Sequence, residues 1–251
     1  MNSTRKLWAG LVVLLIASFA VLLWVGSEIH RQAPPMPEQV VTTDGRVVYT
    51  RKDIETGRQV WQSIGGQQLG SIWGHGGYVA PDWGADWLHR EAEAILDLWA
   101  AREHGVDSYK ALDAPTQAAY ATRVQALIRP NTWDAATGTI TIDADRAAAM
   151  EKVAAHYVDL FGNDPATAEL REAYAMRNNT VPDAEHRRLM TGFFWWAAWS
   201  SITERPGQTI TYTANWPHDE LVGNTPPSNL LIWSVFSVLF LIAGIGLLGW
   251  H

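Results

Sequence analysis

Histidine spacing and a glycine-rich segment are the first places in this sequence to look for chemistry. His75 and His89 form neither an HxH nor an HxxxH pair, so their spacing does not predict a metal site. Residues 65–77 match neither of the glycine patterns that cradle phosphates, and the chain has no GxSxG nucleophile motif. The sequence therefore identifies no catalytic residue.

Two acidic pairs, Glu91/Glu93 and Asp219/Glu220, have side chains that could act as acid and base. Such pairs more often cap helices or face solvent, and we expect that here. The chain contains no cysteine, which excludes disulfides, thiolate metal sites and thiol catalysis. Its formal charge of −7 and the absence of a lysine or arginine run argue against a nucleic-acid partner.

Residues 57–83 form the most distinctive segment of the chain. The segment is rich in glycine, so its backbone can adopt positive φ and approach a flat ligand closely. It has the composition of a cofactor-binding surface, yet it contains no cysteine and only one histidine. Its chemistry therefore has to be interpreted together with the elements that position it.

Two apolar segments predict membrane helices. Residues 7–26 are uncharged and long enough, at about 1.5 Å per residue, to cross a hydrocarbon core of about 30 Å. Arg5 and Lys6 precede them, so residues 1–6 are expected in the cytoplasm and the following segment outside it. A cleaved signal peptide is the alternative. Residues 27–39, rich in proline, are expected to form an extended linker.

The second apolar segment, residues 229–250, predicts a membrane helix that returns to the cytoplasm. No polar or charged anchor follows it before His251, so we expect the chain to be the N-terminal piece of a longer protein or part of an assembly. The apolar stretch at 189–203 is short for a membrane span and aromatic on several faces. We expect it to lie at the membrane interface or against another subunit, with an ordinary core helix as the alternative.

Between the spans, residues 40–228 predict a mainly helical domain with a small β-hairpin. The pair Asp44 and Gly45 separates two β-branched runs and predicts a two-residue type I′ turn. Helices are expected to start at Asp53, at Asp86 or Trp87, and at other positions that carry capping residues, namely Asp113, Asp143, Asp164 and Asp183. A short strand is expected over residues 139–142.

Residues 57–83 closely resemble the start of the cytochrome c domain of the cytochrome c-dependent nitric oxide reductases, with the pattern GxxxWxxxGCxxCHxxxGxGAYxAPD. In an ungapped comparison the two haem-binding cysteines correspond to Gly66 and Leu69, and the axial histidine corresponds to Gly70. The flanking positions are kept: Gly57, Trp61, Gly65, Gly74, Gly76, Tyr78, Ala80, Pro81 and Asp82. A kept backbone pattern without the haem ligands is similar to the quinol-dependent nitric oxide reductases, which carry a haem-free cytochrome c-like domain. The later stretches FFWWAAW, ERPG and YTANWPHDELVGN also resemble that family.

The resemblance implies a cytochrome c-like fold in which the helices near residues 53–64 and 176–203 cross as a terminal pair. It further implies that Ile72, Trp73 and Trp83 fill the vacated haem space, because a cavity of that size would lose too much packing. The implied reaction is the reduction of two nitric oxide molecules to nitrous oxide and water with two electrons from quinol and two protons. Haem b, haem b3 and non-haem iron would belong to a catalytic membrane domain.

The resemblance also implies a calcium site to which Gly76 contributes its carbonyl and Tyr78 its side chain; a buried, hydrogen-bonded Tyr78 is the alternative. Implied partners are membrane lipid, the catalytic membrane domain and, through it, quinol; a homodimer is left open. The implied location is a bacterial inner membrane with the domain in the periplasm. Two other classes stay open: a two-span membrane sensor with a periplasmic ligand-binding domain, and a structural anchor subunit.

Overall fold

The computed structural model describes residues 2–250, which fall into two compact units divided after Pro35. Met1, the first residue of the predicted cytoplasmic N-terminus, and His251 lie outside the described residues. The helices are α1 (Asn2–Gln32), α2 (Arg51–Ser63), α3 (Gly66–Leu69), α4 (Trp83–His104), α5 (Ala114–Ile128), α6 (Ala144–Leu160), α7 (Ala168–Ala173), α8 (Ala184–Ile202) and α9 (Ser228–Trp250). The strands are β1 (Gln39–Thr42), β2 (Val47–Thr50), β3 (Ser71–Ile72), β4 (His75–Gly76), β5 (Trp133–Asp134) and β6 (Thr139–Ile142).

The first unit consists mainly of α1. This helix continues to Gln32, so it extends into the predicted linker, and only residues 33–38 lack regular structure before β1. Both α1 and α9 are long and apolar enough to cross a membrane, and none of their most apolar residues is buried in the protein. Apolar helices with such exposed surfaces need lipid or another protein around them. The fold is therefore mainly α with a small β-hairpin, between two apolar helices, as predicted.

Capping side chains explain where the helices of the second unit begin. Asp113, Asp143 and Asp183 cap α5, α6 and α8 as predicted. The predicted cap at Asp53 is wrong, because Thr50 is the N-cap of α2. Asp53 lies in the first turn, and its carboxylate accepts a hydrogen bond from the backbone N of Thr50. Helix α4 begins earlier than predicted, because Asp82 caps it.

The predicted hairpin forms, but its turn is not the predicted type I′. Gly45 has a φ of +86° whereas Asp44 does not have positive φ, and the backbone N of Gly45 donates to the carbonyl of Thr42 at 2.9 Å. This is a three-residue loop with glycine at the left-handed position. The hairpin joins a sheet of order β2-β1-β6-β5, in which β1 runs parallel to β6 with Val40 opposite Ile140.

The core lies where α2, α4 and α6 pack against α8. Residues 190–202 of α8 are buried, so the expectation that this aromatic stretch faces lipid or a partner is wrong. Helices α2 and α8 form the expected crossing pair at Gly57, where a Cβ atom would lie 2.1 Å from the carbonyl oxygen of Leu189. The segment expected to be one helix from Asp164 is divided into a 3-10 turn at Pro165–Thr167 and the short helix α7.

Candidate functional site: the glycine-rich loop

The candidate site is the loop between α2 and α4, which contains α3, β3 and β4. Asp82 holds this loop to the start of α4 through both of its carboxylate oxygens. Its Oδ2 accepts hydrogen bonds from the Ser71 hydroxyl and from the backbone N of Gly74, both at 2.7 Å. Its Oδ1 accepts from the backbone N of Ala85 at 3.0 Å. The cap of α4 and the closure of the loop therefore depend on one side chain.

The positions that correspond to the first haem-binding cysteine and the axial histidine have no room for a side chain. A Cβ atom at Gly66 would lie 2.3 Å from the ring of Trp61. A Cβ atom at Gly70 would lie 2.5 Å both from the carbonyl oxygen of Pro81 and from Nε1 of Trp83. Leu69, at the second cysteine position, is half-buried against the core. The loop is therefore closed against the groups that attach haem.

Trp83 occupies the interior directly behind the loop. It is fully buried, stacks on Phe194 at a centroid distance of 5.7 Å, and meets Tyr157, Phe161 and Tyr174 edge-on at 6.1, 5.2 and 6.0 Å. Ring pairs at such distances contribute packing beyond the burial of area. Trp83 is therefore a core residue behind the loop, as its predicted role requires, and its replacement of a haem stays a prediction.

The two other residues predicted to fill the haem space differ from each other. Ile72 is buried, as expected. Trp73 is only half-buried: its Nε1 donates to the carbonyl oxygen of Ala197 at 3.0 Å and its ring packs on Trp196 at 5.3 Å. Trp73 therefore fastens the loop to α8 at the edge of the core.

Two buried phenols of the core, Tyr49 and Tyr157, stay neutral near pH 7. Burial raises the pKa of Tyr49 to about 12, and its hydroxyl lies 3.0 Å from that of Thr191. Burial likewise raises the pKa of Tyr157 well above its usual value, and its hydroxyl donates to Oδ2 of Asp86 at 2.6 Å. The core is thus uncharged at these two positions.

The outer side of the loop exposes apolar groups. Tyr78 is 88% exposed and Val79 is 61% exposed, and Trp216, which is 43% exposed, lies beside the loop at Gly74. We call Tyr78, Val79 and Trp216 the Tyr78 patch. The alternative of a buried Tyr78 is wrong. Left-handed backbone occurs next to the patch at Trp73, Ala214 and Asn215, and such conformations in non-glycine residues cluster at functional sites.

The predicted calcium ligands lie two residues apart in this loop: Gly76 is half-buried in β4, whereas Tyr78 is exposed. Calcium takes six to eight oxygen ligands. The nearby carboxylate of Asp82 is engaged by the hydrogen bonds already described. Within residues 2–250 no group of three or more histidine or acidic side chains is arranged to hold a metal ion.

A buried ion pair is the main feature that the sequence interpretation missed. Glu91 is 1% exposed and its Oε1 lies 2.6 Å from Nε of Arg146, while its Oε2 accepts from Nε1 of Trp87 at 2.8 Å. The expectation that Glu91 is solvated or caps a helix is therefore wrong. Glu91 lies one helical turn after Trp87 and one before Ile95, on the apolar face of α4. This spacing could have predicted that Glu91 is buried.

The fold and the loop together define a class: a cytochrome c-like helical domain, without cysteine for thioether attachment of haem, between two apolar helices. The family model for the NorB cytochrome c-like domain of nitric oxide reductase matches residues 37–218. The chain belongs to this family, which confirms the resemblance to nitric oxide reductases. The chain has no significant match among curated proteins.

Proposed function

We propose that this chain is the membrane-anchored, haem-free cytochrome c-like region of a quinol-dependent nitric oxide reductase. The observation that carries the proposal is the closure of the loop at Gly66 and Gly70 by the rings of Trp61 and Trp83. A covalent haem needs cysteine thiols, which the chain lacks, and an open pocket next to them. The residues present do not fit a haem c.

The proposed enzyme reduces two nitric oxide molecules to nitrous oxide and water, with two protons and with two electrons from quinol. Haem b, haem b3 and non-haem iron belong to its catalytic membrane domain. In this proposal quinol delivers electrons to that domain directly, and the cytochrome c-like region carries none. It acts as a rigid support whose packed interior replaces a cofactor.

The Tyr78 patch is the surface that we propose to contact the catalytic membrane domain. Its aromatic and apolar side chains are exposed in this chain, and aromatic residues are enriched where protein surfaces meet. Gly76 and Tyr78 in the same loop supply at most two calcium oxygens. They fit a calcium site only if the catalytic domain completes it.

The proposed location is a bacterial inner membrane, with the N-terminus in the cytoplasm and the domain in the periplasm. Arg5 and Lys6 before the apolar part of α1 support this orientation. Membrane lipid would surround α1 and α9, whose apolar side chains are exposed. A homodimer is compatible with this arrangement.

The test is a haem and electron-donor assay on the purified reductase that contains this chain. We expect only non-covalent haem, lost from every polypeptide on denaturing electrophoresis, and nitric oxide reduction driven by a quinol but not by reduced cytochrome c. Haem that stays attached to this chain under denaturing conditions would overturn the haem-free assignment. Turnover with reduced cytochrome c as sole donor would overturn the quinol assignment.

A further inference from the structure

The segment between α8 and α9 is fastened to the helical core rather than being a loose tether. Nη1 of Arg129 donates to the carbonyl of Gly223 and to Oδ1 of Asn224, both at 3.1 Å. Asn224 is fully buried and its Nδ2 donates to the carbonyl of Ser201 at 2.9 Å. The chain therefore enters α9 from an ordered position.

The last turn before α9 spans residues 219–224, and we call it the Asp219 turn. The backbone of Asp219 and that of Asn224 exchange two hydrogen bonds, of 3.1 and 2.9 Å. Oδ1 of Asp219 also accepts from the backbone N of Leu221 at 2.9 Å. Asp219 thus closes the turn with its backbone and its side chain, and α9 begins shortly afterwards at Ser228.

A histidine of α4 reaches this turn. Nδ1 of His89 lies 3.0 Å from Oδ2 of Asp219, and its Nε2 lies 3.5 Å from Oε1 of Glu93. Lys110 pairs with the same oxygen of Glu93 at 2.5 Å. The side chain of His89 is 50% exposed whereas that of Asp219 is 16% exposed, so protons reach the histidine while the carboxylate is shielded.

The other charged or titratable groups of these elements have their own contacts. Arg90, next to His89 on α4, is directed to Asp86, with Nε 2.8 Å from its Oδ2. Nδ1 of His218 lies 2.9 Å from the carbonyl oxygen of Asn224. His89 is therefore the titratable side chain that joins α4 to Asp219.

We propose that His89 and Asp219 form a proton-controlled latch that holds the Asp219 turn, and with it the entry to α9, against α4. A protonated His89 gives Asp219 a charge-assisted hydrogen bond, which is roughly twice as strong as a neutral one. When the imidazole loses its proton, the bond to Asp219 loses the charge attraction. The turn then depends mainly on Arg129, on the bonds of Asn224 and Gln125, and on its own backbone bonds.

The pKa shifts of both partners agree in sign with this latch. The hydrogen bond that His89 gives to Asp219 raises the pKa of His89 against the opposing effect of burial. Burial by itself would raise the pKa of Asp219, but the hydrogen bond and charge of His89 lower it below its usual value. The stability that protonated His89 contributes is fully present below the pKa of histidine in the unfolded chain, about 6.5. It is lost as pH rises through the higher pKa of His89 in the folded chain. The stability that ionised Asp219 contributes is lost only as pH falls through its folded-state pKa, which lies below the usual value of about 3.9.

Hydrogen exchange of the full chain in lipid nanodiscs tests the latch. After correction for intrinsic exchange rates, we expect the amides of Leu221 and Asn224 to be about threefold less protected at pH 9 than at pH 6. The variant His89→Gln keeps a donor without the charge and should remove this dependence. His104→Gln, at the exposed end of the same helix, is the matched control and should keep it.

Equal pH dependence in the His89→Gln variant and the unaltered chain would overturn the proposal, as would protection that does not change with pH. If the Gln variant fails to fold, the proton resonance of the His89 ring in the unaltered chain decides the question. Its titration midpoint should lie above about 6.5, the value of an unperturbed histidine, and a midpoint at or below that value overturns the latch.

Discussion

Replacement of Trp83 or Trp87 by phenylalanine separates packing from hydrogen bonding in the interior of the helical domain. Both indoles are fully buried on α4, so each substitution removes a similar amount of buried ring. Nε1 of Trp87 donates to Glu91 at 2.8 Å, whereas Nε1 of Trp83 has no acceptor within the described part of the chain. The two variants therefore differ mainly in one hydrogen bond.

The expected losses in free energy of unfolding follow from these contacts. Trp83→Phe should cost about 1–2 kcal/mol, because only transfer and cavity contributions are lost. Trp87→Phe should cost about 1.5–3 kcal/mol more, since a hydrogen bond to a buried carboxylate is lost and Glu91 keeps its bond to Arg146. The comparison uses the same change, on the same helix, at the same burial.

The assay is urea unfolding of the full chain in nanodiscs, followed by circular dichroism so that the removed indole does not alter the signal. Trp61→Phe serves as a further control, because its buried Nε1 also lacks an acceptor among residues 2–250. It should resemble Trp83→Phe. A loss for Trp83→Phe equal to or larger than that for Trp87→Phe would refute the reasoning.

Two further predictions concern the helix crossing and the exposed patch. Gly57→Ala should lower the free energy of unfolding by about 1–3 kcal/mol in the same assay, since its Cβ would lie 2.1 Å from a carbonyl oxygen of α8. Gly84→Ala, whose nearest contact would be 3.3 Å, should be tolerated, and equal losses would contradict the close crossing. Val79→Asp in the Tyr78 patch should lower the nitric oxide reductase activity of the purified enzyme roughly tenfold through weaker docking. Val47→Asp, at an exposed valine of β2, is its control, and unchanged activity in both variants would show that the patch does not dock.

Local signals predicted much of this protein. The caps at Asp113, Asp143 and Asp183 and the strand at 139–142 follow from short-range chemistry, because a side chain that bonds its own backbone needs no distant partner. The register of residues 57–83 against the family pattern placed Gly66 and Gly70 at positions that correspond to a haem-binding cysteine and the axial histidine. The family match confirms the relationship on which that register rests.

By itself, the sequence determined the two apolar helices, the absence of thiol chemistry and the membership of a nitric oxide reductase family. Only the tertiary structure decided that α8 is a core helix, that Glu91 is buried against Arg146, and that β1 pairs with β6. The tertiary structure also decided that the indole of Trp83 lies so close to Gly70 that a side chain there has no room. The reason is physical: burial and pairing between residues far apart in the chain depend on which surfaces meet, and a local pattern of residue types does not specify that meeting.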